Sequence, residues 1–101
     1  MDLSGELDAA TCPQLDQQIE KRLRDSRCRQ LVVDLGHLGF FAACGLTSLL
    51  RARKTAAERR IDLRLVVSSE VVARPMALTG MTREFTIYRS RAAARRSNGC
   101  A

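Results

Sequence analysis

The side chains with the most chemical potential in this 101-residue sequence are four thiols, one imidazole and two well-placed carboxylates. Cys12, Cys28, Cys44 and Cys100 form no Cys-x-x-Cys pair, and His37, the single histidine, stands at no ligand spacing from any of them. Neither a structural zinc site nor a Cys–His catalytic pair is therefore expected. Asp8 and Asp34 would have to share a site to work as acid and base. Asp34, closing an apolar run, is instead expected to hydrogen-bond loop amides. Gly36 and Gly39 read as turn residues and make no phosphate-cradling pattern, and His37 reads as a surface residue between strand and helix. With no activated nucleophile, metal set or cofactor loop, catalysis is the function class these residues support least. No cofactor and no metal are expected.

Composition narrows the classes further. Apolar residues make up 46% and charged residues 28%, the mix of one small globular domain. No run approaches the roughly 20 apolar residues of a membrane helix, and no charged-then-apolar leader opens the chain. Four cysteines without such a leader point to a reduced, cytoplasmic protein. The net charge of +6 is uneven: residues 1–88 hold 13 basic and 11 acidic side chains, and Arg89, Arg91, Arg95 and Arg96 follow without an acid. Residues 89–101 thus read as a basic flexible tail on a nearly neutral domain at 1–88. Any binding by such a tail would be salt-sensitive and blind to sequence. With no Trp, one Tyr and three Phe, there are few rings to stack on bases. Direct nucleic-acid binding is not the expected role. The Arg-rich helix faces (Arg22, Arg24, Arg51, Arg53, Arg59, Arg60) read as solvated surface that can complement an acidic partner.

The elements that must position these groups follow from periodicity. Residues 3–8 alternate weakly, as the end of a strand. Thr11 can cap a helix that Pro13 helps to start, with Leu15, Ile19 and Leu23 at four-residue steps. Leu31-Val32-Val33-Asp34-Leu35 is a short buried strand, followed by a connection over Gly36–Gly39 and by Phe40-Phe41, which press the chain back on the core. Ala43 to Arg60 has helical spacing. Ile61 to Val67 is the clearest strand. Ser68 and Ser69 can cap a third helix carrying Val71, Val72, Met76 and Leu78, with Pro75 kinking it and Gly80 ending it. Phe85 to Tyr88 is a last short strand. The order β-α-β-α-β-α-β predicts one α/β domain, with a mostly parallel or mixed sheet of about four strands and helices packed against it.

Three stretches together resemble the STAS domain of bacterial anti-sigma-factor antagonists: Gly5-Glu6-Leu7-Asp8-Ala9-Ala10-Thr11 with Pro13; Leu31 to Leu35 followed by Phe40-Phe41-Ala42-Ala43-Cys44-Gly45-Leu46; and Val72-Ala73-Arg74 with Leu78-Thr79-Gly80-Met81 and Phe85. The resemblance covers residues 3–88. It implies a protein-binding regulator, without catalysis, that docks on an anti-sigma factor and so releases sigma factor. The docking surface it implies comprises Asp8, Thr11, Ala42, Ala43, Cys44, Gly45, Leu46 and Thr47. In the family, a serine opening the second helix is phosphorylated by an anti-sigma factor that is also a kinase. A helix N-terminus suits such an anion, and the added charge of about −1.5 to −2 expels the docked partner.

The sequence departs from that pattern where the chemistry lies. The family's aspartate is Ala42, its phosphoacceptor is Ala43, and the next hydroxyl is Cys44. Alanine has no oxygen to phosphorylate, so the usual switch cannot work at Ala43. Thr47 and Ser48 lie inside the helix, badly placed as substitutes. Cys44, one step into a helix whose positive end favours thiolate, is the candidate for a redox handle that would block the surface as a mixed or internal disulfide. Packed under the loop, it would instead be inert. The family usually has a strand before Leu3, where this sequence has two residues. An exposed strand edge there would favour weak homodimerisation. Two other readings fit the same sequence: a STAS scaffold or subunit of a signalling or lipid-transport complex, and a nucleic-acid binder driven by the basic tail.

Overall fold

The computed structural model describes residues 1–96, with side chains through residue 94. The chain runs β1 (Asp2–Leu7), α1 (Cys12–Arg24), β2 (Gln30–Phe41), α2 (Ala43–Glu58), β3 (Asp62–Val66), α3 (Glu70–Leu78), a 3-10 turn (Met81–Glu84), β4 (Thr86–Tyr88) and α4 (Arg91–Arg96). The strands form one sheet in the order β1-β2-β3-β4, and every neighbouring pair is parallel. Parallel neighbours cannot be joined by a tight hairpin, so each connection carries a helix. The fold is the expected α/β domain, with a wholly parallel four-stranded sheet.

Register decides which side chains share a face. Leu31 pairs with Leu63 and Val33 with Leu65 across β2 and β3. Val33, Leu35 and Leu65 have no exposed surface. They form one core with Leu15, Ile19 and Leu23 of α1, Leu46, Leu49, Ala52 and Ala56 of α2, and Val72 and Met76 of α3. The four-residue step of Leu15, Ile19 and Leu23 keeps them on one side of α1, so that side is buried. Each large aliphatic side chain removed from water there contributes roughly 1.5–3 kcal/mol.

The alternate residues of the same strands, Asp34, Arg64 and Val66, are also buried, and α4 meets them on the other face. The Arg64 guanidinium donates to the Ala94 carbonyl, pairs with Asp62 at 2.6 Å and lies 5.6 Å from the centre of the Tyr88 ring. Arg91 bridges two acids: its Nε lies 2.7 Å from Asp34 Oδ2 and its Nη2 2.6 Å from Asp2 Oδ2. Ala94 is fully buried. The flexible tail expected from residue 89 is therefore corrected over 91–94, where the chain packs on the sheet. A buried Asp34 requires compensation, and Arg91 supplies it from 57 residues away. The remainder of the expected tail, residues 97–101 with Cys100, lies outside the described residues.

Three further local expectations change. The turn expected over Gly36–Gly39 is strand: β2 runs on to Phe41, because β1 pairs with it at Ser4↔His37, Gly5↔Leu38, Glu6↔Phe40 and Leu7↔Phe41. Ladder bonds to β1 override the local preference of two glycines. Thr11 occupies the N-cap of α1 but makes no side-chain cap. Its hydroxyl donates to the Glu6 carbonyl at 2.9 Å and accepts from the Asp8 N–H at 2.9 Å. Ser69 likewise sits at the N-cap of α3 without capping it. Gly80 ends α3 as expected, at φ 74°, where a residue without Cβ is favoured.

Candidate functional site

The C-terminal ends of β1 and β2 lie side by side, since Leu7 pairs with Phe41. The loops leaving them therefore emerge together at the edge of a parallel sheet where ligands and partners commonly bind. Two backbone features join them. The Ala42 N–H donates to the Leu7 carbonyl at 2.9 Å. Gly45, at the third position of α2, is packed so tightly that a Cβ there would stand 2.7 Å from the Phe41 ring and 2.8 Å from Leu7 Cδ2. Gly45 and Leu46 are buried, while Ala43 and Thr47, one helical turn apart, face solvent. Ala42, the N-cap of α2, offers its first turn no side-chain acceptor.

The β1–α1 loop is held by its own polar residues. Asp8 Oδ1 accepts from the N–H groups of Ala10 and Thr11 at 3.0 and 3.1 Å. Its neighbour α1 then begins at Cys12, and Cys12 and Cys44 are joined by a disulfide across 32 residues, with their Cα atoms 6.4 Å apart. The structure thus brings Asp8, Thr11 and the segment Ala42–Thr47 to one end of the molecule. It also corrects the expectation of four reduced cysteines. Cys12 is buried and Cys44 half-buried, and Cys28 is a free thiol. Sequence spacing carries no signal for that pair, because the β-α-β crossover alone superposes the starts of α1 and α2.

Phe40 is the second feature the sequence concealed. Phe41 is buried, but strand alternation turns its neighbour outward, leaving Phe40 48% exposed beside the loop. An exposed aromatic at the rim of an otherwise small-residue surface is the kind of side chain that anchors protein interfaces.

Elsewhere, Asp2, Asp34 and His37 bring ligand atoms within 4.8 Å of one another. Arg91 already places its guanidinium between the two carboxylates, so a fixed cation holds that position. Burial disfavours the charged form of Asp34, yet the Gly36 N–H and the Arg91 guanidinium outweigh it and hold the carboxyl below its ordinary value. His37 is exposed, as the sequence suggested, although it lies in β2 rather than in a loop. A groove of about 380 Å³ runs between α1 and α2, lined by Asp16, Glu20, Arg51 and Lys54 over Ile19 and Leu23. Its mixed charge is partly satisfied internally, with Arg51 and Asp16 3.4 Å apart. Among the described residues, no helix is long and apolar enough to cross a membrane.

Comparison with known proteins agrees with this geometry. The chain superposes on the crystal structure of an anti-sigma factor antagonist from Mycobacterium paratuberculosis with a TM-score of 0.86 and 29% identity, over 95% of this chain and 80% of that one. A proposed anti-sigma factor antagonist from Thermotoga maritima shares the fold at a TM-score of 0.84 and 17% identity, over 95% and 84% of the respective chains. None of the curated proteins matches the chain. The family model of the STAS domain matches residues 1–94, which takes in the whole sheet and the buried part of α4. The chain belongs to the STAS domain family.

Proposed function

We propose that this chain is an anti-sigma factor antagonist that acts by docking, without catalysis, and that its docking face is built from Ala42–Thr47, Asp8, Thr11 and Phe40. The observation that carries the reading is the face at the start of α2. Its segment Ala42–Thr47 carries no charged side chain, leaves Ala43 and Thr47 exposed shortly after half-exposed Phe40 in the chain, and rests on the tight Gly45–Phe41–Leu7 contact. The Mycobacterium paratuberculosis neighbour, an anti-sigma factor antagonist at 29% identity, supports it. The partner is an anti-sigma factor, of the kind with a kinase-like ATP-binding domain, and the setting is the cytoplasm. Docking excludes sigma factor from the anti-sigma factor and so frees it.

The phosphorylation switch is missing in this reading, and its absence can be measured. Incubated with such an anti-sigma kinase and ATP, the native chain takes up no phosphate at the start of α2, whereas Ala43→Ser becomes a substrate. Ala43→Glu places a charge on the face and weakens docking at least about tenfold, the effect expected of an unpaired carboxylate forced into an interface. Equal affinity of Ala43→Glu and the native chain would refute this docking face. Recovery of scaffold or transporter subunits in place of an anti-sigma factor would refute the antagonist role.

Asp8 enters this face as a positioning residue. Its carboxylate is engaged by the Ala10 and Thr11 amides, so it shapes the loop that starts α1. Gating through cysteine, the remaining part of the reading, is developed next.

A further inference from the structure

We infer that Cys12 and Cys44 form a thiol–disulfide switch that sets the rigidity of the docking face, oxidised for docking and reduced for release; its consequence for docking rests on the function proposed above. Three observations combine here. The bridge joins the first residue of α1 to the second of α2, so it ties together the two loops at the C-terminal ends of β1 and β2. Its two halves differ in access: Cys12 is buried and Cys44 half-buried. The bridge also closes on the inner side of the loop, where Gly45 and Leu46 are buried, while Ala43 and Thr47 stay exposed.

That placement decides the sense of the switch. An internal bridge adds no atoms to the outer surface, so it cannot work by covering the face. It works by fixing the start of α2 against α1. Away from this point, α1 and α2 are joined further along both helices by core packing of Ile19 and Leu23 with Leu49, Ala52 and Ala56, and by the exposed pair Arg51–Asp16, a contact of little strength. Ala42 lacks a capping side chain, so the first turn of α2 has no such anchor of its own. Reduction therefore leaves a small-residue helix start held by packing and one backbone bond to Leu7. A partner docking on the reduced face must order it first, and that cost lowers affinity.

The chemistry requires a low-molecular-weight disulfide, RSSR. The Cys44 thiolate attacks one sulfur of RSSR, breaking its S–S bond, forming Cys44–S–S–R and releasing RS⁻. Cys12, as thiolate, then attacks the Cys44 sulfur, forms the Cys12–Cys44 bond and releases the second RS⁻. Two protein thiols are oxidised and RSSR is reduced to two RSH, which take up the two thiol protons. An excess of small thiol runs the sequence backwards, entering at Cys44 because it is the more accessible sulfur.

The test uses the full chain with Cys28→Ser and Cys100→Ser, and oxidised glutathione as the probe. Mass spectrometry after titration is expected to show a loss of two hydrogens and no retained glutathione. Hydrogen exchange at the amides of residues 43–47 is expected to slow about tenfold on oxidation, with little change in the β2–β3 core. Affinity for a purified anti-sigma factor with a kinase-like domain from the same organism is expected to rise at least about fivefold on oxidation. Adding Cys12→Ser is expected to trap a glutathione adduct on Cys44. Should that variant fail to fold, the oxidised and reduced forms of the Cys12-containing chain decide the matter alone. A retained adduct where Cys12 is present, or equal exchange in both states, overturns the switch. Equal measurable affinity with altered exchange overturns its role in docking. Binding in neither state, with exchange altered, refutes the proposed function and leaves the conformational switch standing.

Discussion

Reducing the Cys12–Cys44 bridge should cost this domain a large part of its stability. The bridge spans 32 residues of sequence. In the chain-entropy description, closing a loop of that length removes about 12–13 cal/mol/K from the unfolded ensemble, or about 3.7 kcal/mol at 25 °C. A domain of this size has only about 5–15 kcal/mol in total. At about 4–8 °C per kcal/mol for a domain near 100 residues, the melting temperature should fall by at least 15 °C. The comparison is best made between oxidised and reduced states of one sequence, with Cys28→Ser and Cys100→Ser, because Cys12→Ala would add a cavity at a buried site. Urea titrations with and without a non-thiol reductant, followed by circular dichroism, give the difference directly. The reduced form should also show a larger m-value, since its unfolded chain is less compact. A stability difference under about 1 kcal/mol would refute the reasoning. It would mean that the reduced unfolded chain is already compact around this loop, or that the bridge strains the native junction by as much as it restricts the unfolded chain.

Three other outcomes follow from the same contacts. Gly45→Ala should destabilise by about 1–3 kcal/mol in urea unfolding, because its Cβ would meet the buried Phe41 ring and Leu7, and this outweighs the better helix propensity of alanine. Phe40→Ala should leave the urea midpoint nearly unchanged, since the side chain is half exposed, yet weaken binding to an anti-sigma factor about tenfold or more in calorimetry. The Asp34–Arg91 pair should make stability fall in acid. Asp34 is held below its ordinary value of 3.8, so its stabilisation is complete above that value and is lost as pH falls through it towards the folded-state value. Arg91→Gln should lower the urea midpoint at pH 7 and flatten the acid limb of a stability–pH curve. An unchanged acid limb would show that the Gly36 amide alone holds the carboxylate.

The amino-acid order alone determined the class of fold. Alternation and four-residue spacing are local properties, and they placed α1, α2 and β3 to within two or three residues at either end. Order alone also determined that Ala43 cannot carry a phosphate, since that depends on composition at one position. What tertiary structure decided were pairings between distant segments. β2 extends through Gly36 and Gly39 because β1 lies alongside and takes up its backbone bonds. Phe40 and Phe41 look alike in sequence, and only the pleat of that extended strand sends one out and the other in. Arg91 looked like part of a solvated basic run until the sheet presented a buried carboxylate to it. Cys12 and Cys44 carried no spacing signal. They became neighbours because parallel strands joined by helical crossovers start their successive helices at the same edge of the sheet, a consequence of chain direction that no local pattern encodes.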